Sequence, residues 1–232
     1  MKPVYMIAEA GVAHEGEPTS ALSLLDAAVK AGADAFKIQY YCKGFDNGVR
    51  ELPFLQEHVI LRLKELCDIN RIDFIVTPHD RWAIDFLEHH NLCETYKVGH
   101  GDWDLLPVLA ETKKPLIISW VNGLITERLM RLCRQVDYKL LYCTDKYPTQ
   151  LWEIDYNAIV GNSFDGFSDH TEGDIVSFMA VLGGADIIEK HICLEKNVEG
   201  RRDTTFAFLP DELKEFVESI RILQNVRTTI KI

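Results

Sequence analysis

Phe167-Ser168-Asp169-His170-Thr171 and Ile187-Ile188-Glu189-Lys190-His191 decide how this sequence is read. Each follows or opens on an apolar run (Phe164 to Phe167, Ala185 to Ile188) and reaches a histidine beside a carboxylate, so two successive buried strands deliver imidazoles where strand gives way to loop. In a β/α barrel that rim carries the active site. Working outward, short β-branched or aromatic runs begin near Val4, Ala35, Asp73, Thr95, Pro115, Tyr138, Ser163 and Asp186, and helical periodicity follows seven of them, most weakly around Ile154 to Val160. Eight such units predict a single-domain (β/α)8 TIM barrel over residues 1–232. An open doubly wound sheet is the alternative, but it usually has fewer strands, and no G-x-G-x-x-G follows the first strand.

The helices carry their own signals. Leu22, Leu25, Ala28 and Val29 predict a stripe on the first helix, with a left-handed cap at Gly32. Pro210-Asp211-Glu212 opens the last, which presents Leu213, Phe216, Val217, Ile220 and Leu223 on one face. The long connection from Tyr41 to Glu57 reads as a substrate loop. With 47% hydrophobic and 26% charged residues, the chain reads as globular and soluble. Its formal net charge of −11 argues against nucleic-acid or anionic-membrane partners, while a pocket with local positive charge can still take a small anion. Six irregularly spaced cysteines without C-x-x-C, no signal pattern at Met1 to Tyr5 and no apolar run near the ~18 residues of a span predict a cytoplasmic protein.

Several side chains at strand ends carry chemistry. Glu9 closes Ile7-Ala8-Glu9 and is either catalytic or a structural carboxylate of the rim. Lys37 and Lys97 lie within strand-like runs, where a lysine is costly unless paired. They read as an anion site, as amine nucleophiles, or as salt-bridged rim lysines. Ser119 adds a hydroxyl to such an anion. His170 and His191 read as a divalent-metal pair, with Asp169 and Glu189 orienting the rings or completing the coordination; the competing reading is two satisfied core histidines. The other six histidines read as solvated. Cys143 and Cys193 read as small buried hydrophobes, since no histidine lies at a motif spacing.

Taken in order, Ile7-Ala8-Glu9-Ala10-Gly11 with His14-Glu15-Gly16, Ala31 to Gln39, Thr77-Pro78, Tyr96 to Asp102, Cys143 to Thr149, Ser168-Asp169-His170-Thr171, Glu189-Lys190-His191 and Asp203 resemble the sialic acid synthase family. Those enzymes condense phosphoenolpyruvate with an N-acetylated hexosamine-type sugar to a nine-carbon nonulosonic acid. The resemblance spans almost the whole chain and implies a β/α barrel with a divalent cation, Mn2+ or Mg2+, on His170 and His191. It implies phosphoenolpyruvate on Lys37, Lys97, Ser119 and Ser168 beside Thr77, and an acid/base or orienting role for Glu9. Gln39, Asp145, Tyr147 and Asp203 would face the sugar acceptor, Asp203 as a catalytic group. A homodimer is the expected assembly.

The sequence departs from that pattern at four places. The family's small carboxy-terminal antifreeze-like domain has no counterpart before Ile232, which predicts a barrel-only protein. A small residue after the second lysine is here His100, and the turn after the fifth strand is Ser119-Trp120-Val121, so two pocket walls are expected to be bulkier. Glu199-Gly200-Arg201-Arg202-Asp203 replaces a proline-rich lead, and Arg201 and Arg202 suit a phosphate or carboxylate on the acceptor. Gln150 stands for the usual proline. The rival readings are a barrel aldolase or lyase acting on another oxo-acid and a non-catalytic sugar- or phosphate-binding paralogue.

Overall fold

The computed structural model describes residues 3–42, 53–121, 131, 135–161 and 163–230, apart from the side chains at 202, 228 and 230. Eight parallel strands close into a barrel in sequence order: β1 (Tyr5–Gly11), β2 (Ala35–Tyr40), β3 (Asp73–Pro78), β4 (Tyr96–Val98), β5 (Leu116–Val121), β6 (Tyr138–Cys143), β7 (Gly166–Asp169) and β8 (Ile187–His191). β1 closes the ring by pairing with β8, with Glu9 opposite His191. The described helices are α1 (Pro18–Ala31), α2 (Glu57–Asn70), α3 (Arg81–His89), α4 (Leu106–Glu111), α5 (Tyr156–Val160), α6 (Ile175–Gly183) and α7 (Pro210–Ile230). The open-sheet alternative is thereby set aside. The expected loop from Tyr41 to Glu57 falls mostly outside the described residues, as does the connection that follows β5.

The period of two in the strands builds two cores. Ile7, Ala35, Ile75, Ile117, Leu141 and Ile187 point inward and fill the barrel floor. Their neighbours Met6, Ala8, Phe36, Ile38, Phe74, Val76, Ile118 and Ile188 point outward and pack under the helices. Gly166 permits the close approach of β7 to β8, because a Cβ there would lie 2.2 Å from the Ile187 carbonyl oxygen. α1 ends on Gly32 at φ 76°, as its sequence predicts. Its buried stripe is Ala21, Leu24, Leu25, Ala28 and Ala31; the expected Leu22 and Val29 sit at the margin, one position off the stripe centre. α7 buries Leu213, Phe216, Val217 and Ile220, with Leu223 at the edge. The five described cysteines are free thiols, and no described helix is long and apolar enough to cross a membrane.

Candidate active site

One step above the apolar floor, the same alternation turns inward a set of polar residues. Glu9 follows Ile7 on β1, Lys37 and Gln39 follow Ala35 on β2, and Thr77 follows Ile75 on β3. Lys97 comes from β4, Ser119 from β5, Cys143 from β6, Ser168 and His170 from β7 and the loop after it, and Glu189 and His191 from β8. All of these except Gln39 are buried.

Buried charge is met by buried charge. Lys37 Nζ lies 2.7 Å from Glu9 Oε2 and 3.6 Å from Glu189 Oε2, and donates to Thr77 Oγ1 at 3.1 Å. Lys97 Nζ donates to Ser119 Oγ at 2.6 Å and lies 3.7 Å from Glu189 Oε1. Ser168 Oγ donates to the same Glu189 oxygen at 2.7 Å, and Gln39 Nε2 donates to Glu9 Oε1 at 3.4 Å. Two ammonium groups thus face two carboxylates inside the barrel, with three hydroxyls bonded to the charges.

The two carboxylates are unlike each other. Burial pushes Glu9 up to about 7 against the pull of Lys37, with the Glu189 charge adding to the rise. Burial opposes ionisation of Glu189 too, but Lys37, Lys97 and the Ser168 hydroxyl outweigh it and hold it at about 2. Glu9 therefore exchanges a proton near neutrality while Glu189 stays ionised. Lys97 is lowered, first by burial and then by Lys37, against Glu189.

His170 and His191 stand together with ring centroids 5.4 Å apart. Burial lowers both to about 3, helped by His191 at His170 and by Lys37 at His191, so both rings are neutral and keep a lone pair for a metal. His170 Nδ1 lies 3.2 Å from the Thr144 carbonyl oxygen; donation there assigns the free lone pair to Nε2. Among the described residues no third histidine, cysteine or carboxylate completes a cluster with them. Two neutral imidazoles side by side are a donor set that fits a divalent cation.

The rim is aromatic and acidic. Tyr147 packs on His170 at 4.2 Å between centroids, Phe206 closes against both histidines, and Asp203 Oδ2 lies 3.9 Å from His191 Nδ1. Asp145 is exposed on the loop that carries Tyr147.

Several expectations change in place or role. Asp169 faces outward, where it accepts from Thr171 and Ser177 and lies 3.2 Å from Lys190; it neither orients a ring nor reaches the site, because it occupies the opposite parity from Ser168 and His170. Glu189 faces inward but serves the lysines. Trp120 packs edge-on against Phe164 at the opposite strand parity from Ser119, so it does not narrow the pocket, whereas Val121 shares the parity of Ser119. Arg201 closes on Glu15 through Nε and Nη2, which matches its charge within the chain; the Arg202 side chain lies outside the described residues. His14 is buried, not solvated, and its Nδ1 accepts from the Gly16 N–H at 3.0 Å. Cys143 lies 3.7 Å from His170 Nδ1, a neighbour that spacing along the chain does not reveal. Its inward parity above Leu141 was the available signal.

A family model described as the NeuB family matches residues 48–231. The chain belongs to the NeuB family. An uncharacterized protein of Methanocaldococcus jannaschii is 36% identical over 247 residues, covering 97% of this chain and 72% of that protein. The N,N'-diacetyllegionaminic acid synthase of Campylobacter jejuni is 33% identical over 264 residues, covering 97% of this chain and 77% of that enzyme. The N-acetylneuraminic acid synthetase of Leptospira borgpetersenii superposes with a TM-score of 0.85 at 27% identity, covering 97% of this chain and 85% of that one.

Proposed function

We propose that this NeuB-family chain condenses phosphoenolpyruvate with an aldose to give a 2-keto-3-deoxy sugar acid of the nonulosonic type, releasing phosphate. The observation that carries the reading is the Glu9–Lys37–Glu189–Lys97 chain of buried charges beside a neutral histidine pair. Lys37 and Lys97 neutralise the carboxylate and phosphate of phosphoenolpyruvate, and Thr77, Ser119 and Ser168 orient it. Gln39, Tyr147, Asp145 and Asp203 face the aldose. His170 and His191 would hold a divalent cation, Mn2+ or Mg2+, which supplies Lewis-acid polarisation of the aldehyde oxygen.

The chemistry balances with the residues present. The methylene carbon of phosphoenolpyruvate bonds to the aldehyde carbon as the C=O electron pair moves onto oxygen, and Glu9, raised by burial towards the neutral range, gives that oxygen a proton. Water adds to the former enol carbon and returns one proton to Glu9, and the tetrahedral carbon then forms its C=O as the C–O bond to phosphate breaks, phosphate carrying off the hydroxyl proton while Lys97 and Ser119 meet the leaving charge. Arg201 acts through Glu15 as a tie between the loops after β1 and β8, two residues from Asp203. Incubating a panel of aldoses with phosphoenolpyruvate and Mn2+ tests the reading by phosphate release. No release with any aldose, together with borohydride trapping of an oxo-acid on Lys37 or Lys97, would replace it with a Schiff-base aldolase.

A further inference from the structure

The pairing of β7 with β8 runs through Ser168↔Glu189 to Asp169↔Lys190 and stops there, one residue short of both histidines. The ladder that spaces the two strands therefore ends before the two imidazoles that stand 5.4 Å apart. The side chain of Lys190 carries the connection onward. It is wholly buried on the outer side of the barrel, at the opposite parity from Glu189 and His191. Its Nζ lies 3.2 Å from Asp169 Oδ2 and donates to the carbonyl oxygens of Thr171 at 2.6 Å and Gly173 at 2.8 Å. Gly173, at φ 76°, turns the chain so that both carbonyls reach one ammonium. Asp169 Oδ1 accepts from the Thr171 N–H and Oγ1 at 2.7 Å each, and Oδ2 from Ser177 Oγ of α6 at 2.6 Å. The Phe208 ring centroid lies 4.9 Å from the same ammonium, and the Phe208 N–H donates to the His191 carbonyl oxygen at 2.8 Å. The residues on both sides of His170 and the backbone of His191 are thus tied to one buried cation.

We propose that Lys190 is a positioning residue for the histidine pair, fixing the separation of the two strand ends so that a divalent cation meets both imidazoles without moving the backbone. The inference rests on the metal reading of His170 and His191. Neither Lys190 nor Asp169 touches a ring; they act on the chain that carries the rings. Strand cohesion alone does not account for the pair. The outward positions around the barrel are otherwise met by apolar packing, as at Met6, Phe36, Val76 and Ile188, and aliphatics in place of a buried ion pair are often neutral or stabilising. What aliphatics lack is direction: only a donor at Nζ can hold the Thr171 and Gly173 carbonyls beyond the last paired residues. A cation binding to strand ends left loose would first have to order them, which weakens its affinity.

Titration calorimetry with Mn2+ tests this on the whole chain, alongside the visible d–d bands of bound Co2+, which report coordination geometry. The Lys190→Met, Asp169→Asn double variant removes both charges at similar volume. It should keep its circular dichroism, raise the Mn2+ Kd about 10-fold and shift the Co2+ bands. Arg221→Gln separates positioning from general loss of stability. It removes bonds to the Val4 and Gly32 carbonyls and to Asp34 at the opposite end of the barrel, so it should lower Tm while leaving the Mn2+ Kd and the Co2+ bands as in the wild type. Ser177→Ala takes away one bond to Asp169 and should raise the Mn2+ Kd about 3-fold; it decides the matter if the double variant does not fold. An unchanged Mn2+ Kd in the folded variant, or an equal rise in Arg221→Gln, would overturn the role of Lys190 and leave the metal reading standing. A wild type that binds no Mn2+ would overturn the metal reading, and this inference with it.

Discussion

Glu189→Gln tests the charge chain at its centre. The carboxylate lies 3.6 Å from Lys37, 3.7 Å from Lys97 and 2.7 Å from Ser168, all buried, so the amide keeps the shape and the serine contact while removing one of two anions opposite two cations. Breaking a buried pair on one side costs about 3–5 kcal/mol; the retained hydrogen bond and full ionisation of Glu9 reduce this to about 3 kcal/mol. For a chain of this size that is a fall in Tm of roughly 6–12 °C. The pH dependence has a definite sign. Glu189 is held at about 2, below its ordinary value, so its stabilisation is present above about 4.5 and is lost as pH falls towards 2. The variant should lack that part of the acid dependence. Phosphoenolpyruvate supplies the missing negative charge, so its stabilising shift should be larger in the variant than in the wild type. Differential scanning calorimetry at pH 7 with and without ligand measures both. A Tm within about 1 °C of wild type would refute the claim that Glu189 neutralises the two lysines.

Four further outcomes follow from the geometry. The His170→Ala, His191→Ala double variant should lose bound Mn2+ by elemental analysis while keeping its circular dichroism, since neither ring belongs to the barrel floor. Lys37→Ala with Lys97→Ala should abolish the thermal shift given by phosphoenolpyruvate, and an unchanged shift would move the anion elsewhere. Gly166→Ala should destabilise by at least about 2–3 kcal/mol in denaturant titrations, because backbone must move to admit a Cβ 2.2 Å from a carbonyl oxygen. A double-mutant cycle on Glu15→Gln and Arg201→Gln should give a coupling of about 0.5–1 kcal/mol for this partly exposed pair, and each single change should raise the aldose KM more than that for phosphoenolpyruvate.

Strand parity explains what was legible in the sequence. Ile7-Ala8-Glu9 and Ile187-Ile188-Glu189-Lys190-His191 show both the apolar run and the polar group that ends it, so the barrel, its strand ends and the histidine pair can be read directly. What could not be read is which parity faces inward when both are polar. Asp169 and Ser168 look equally suited to a site, and only the closure of the barrel turns Ser168 to Glu189 and Asp169 to Ser177. Partners distant in sequence were equally hidden: Glu15 and Arg201 are 186 residues apart and meet only because β1 neighbours β8. Glu195 and Glu199 lay nearer in sequence, but neither is the residue Arg201 pairs with.

The polar layer also bears on why the barrel carries it at all. A TIM barrel is ordinarily filled by branched aliphatic side chains in successive layers, and the floor here obeys that pattern with four isoleucines, a leucine and an alanine. Replacing a buried ion network by aliphatics of similar volume is often neutral or stabilising, so packing stability gives no reason for Glu9, Lys37, Lys97 and Glu189 to sit within the strands. Nor does solubility, since all four are buried. Their arrangement supplies something aliphatics cannot: two fixed cations whose counterions are the chain's own carboxylates, one firmly ionised and one able to take a proton. An anionic substrate entering such a site competes with Glu9 for Lys37, and as it displaces the carboxylate it leaves Glu9 with less reason to stay ionised. In the proposed reaction, substrate binding would thereby load the proton that bond formation consumes, which would tie the electrostatics of the barrel to the order of the reaction.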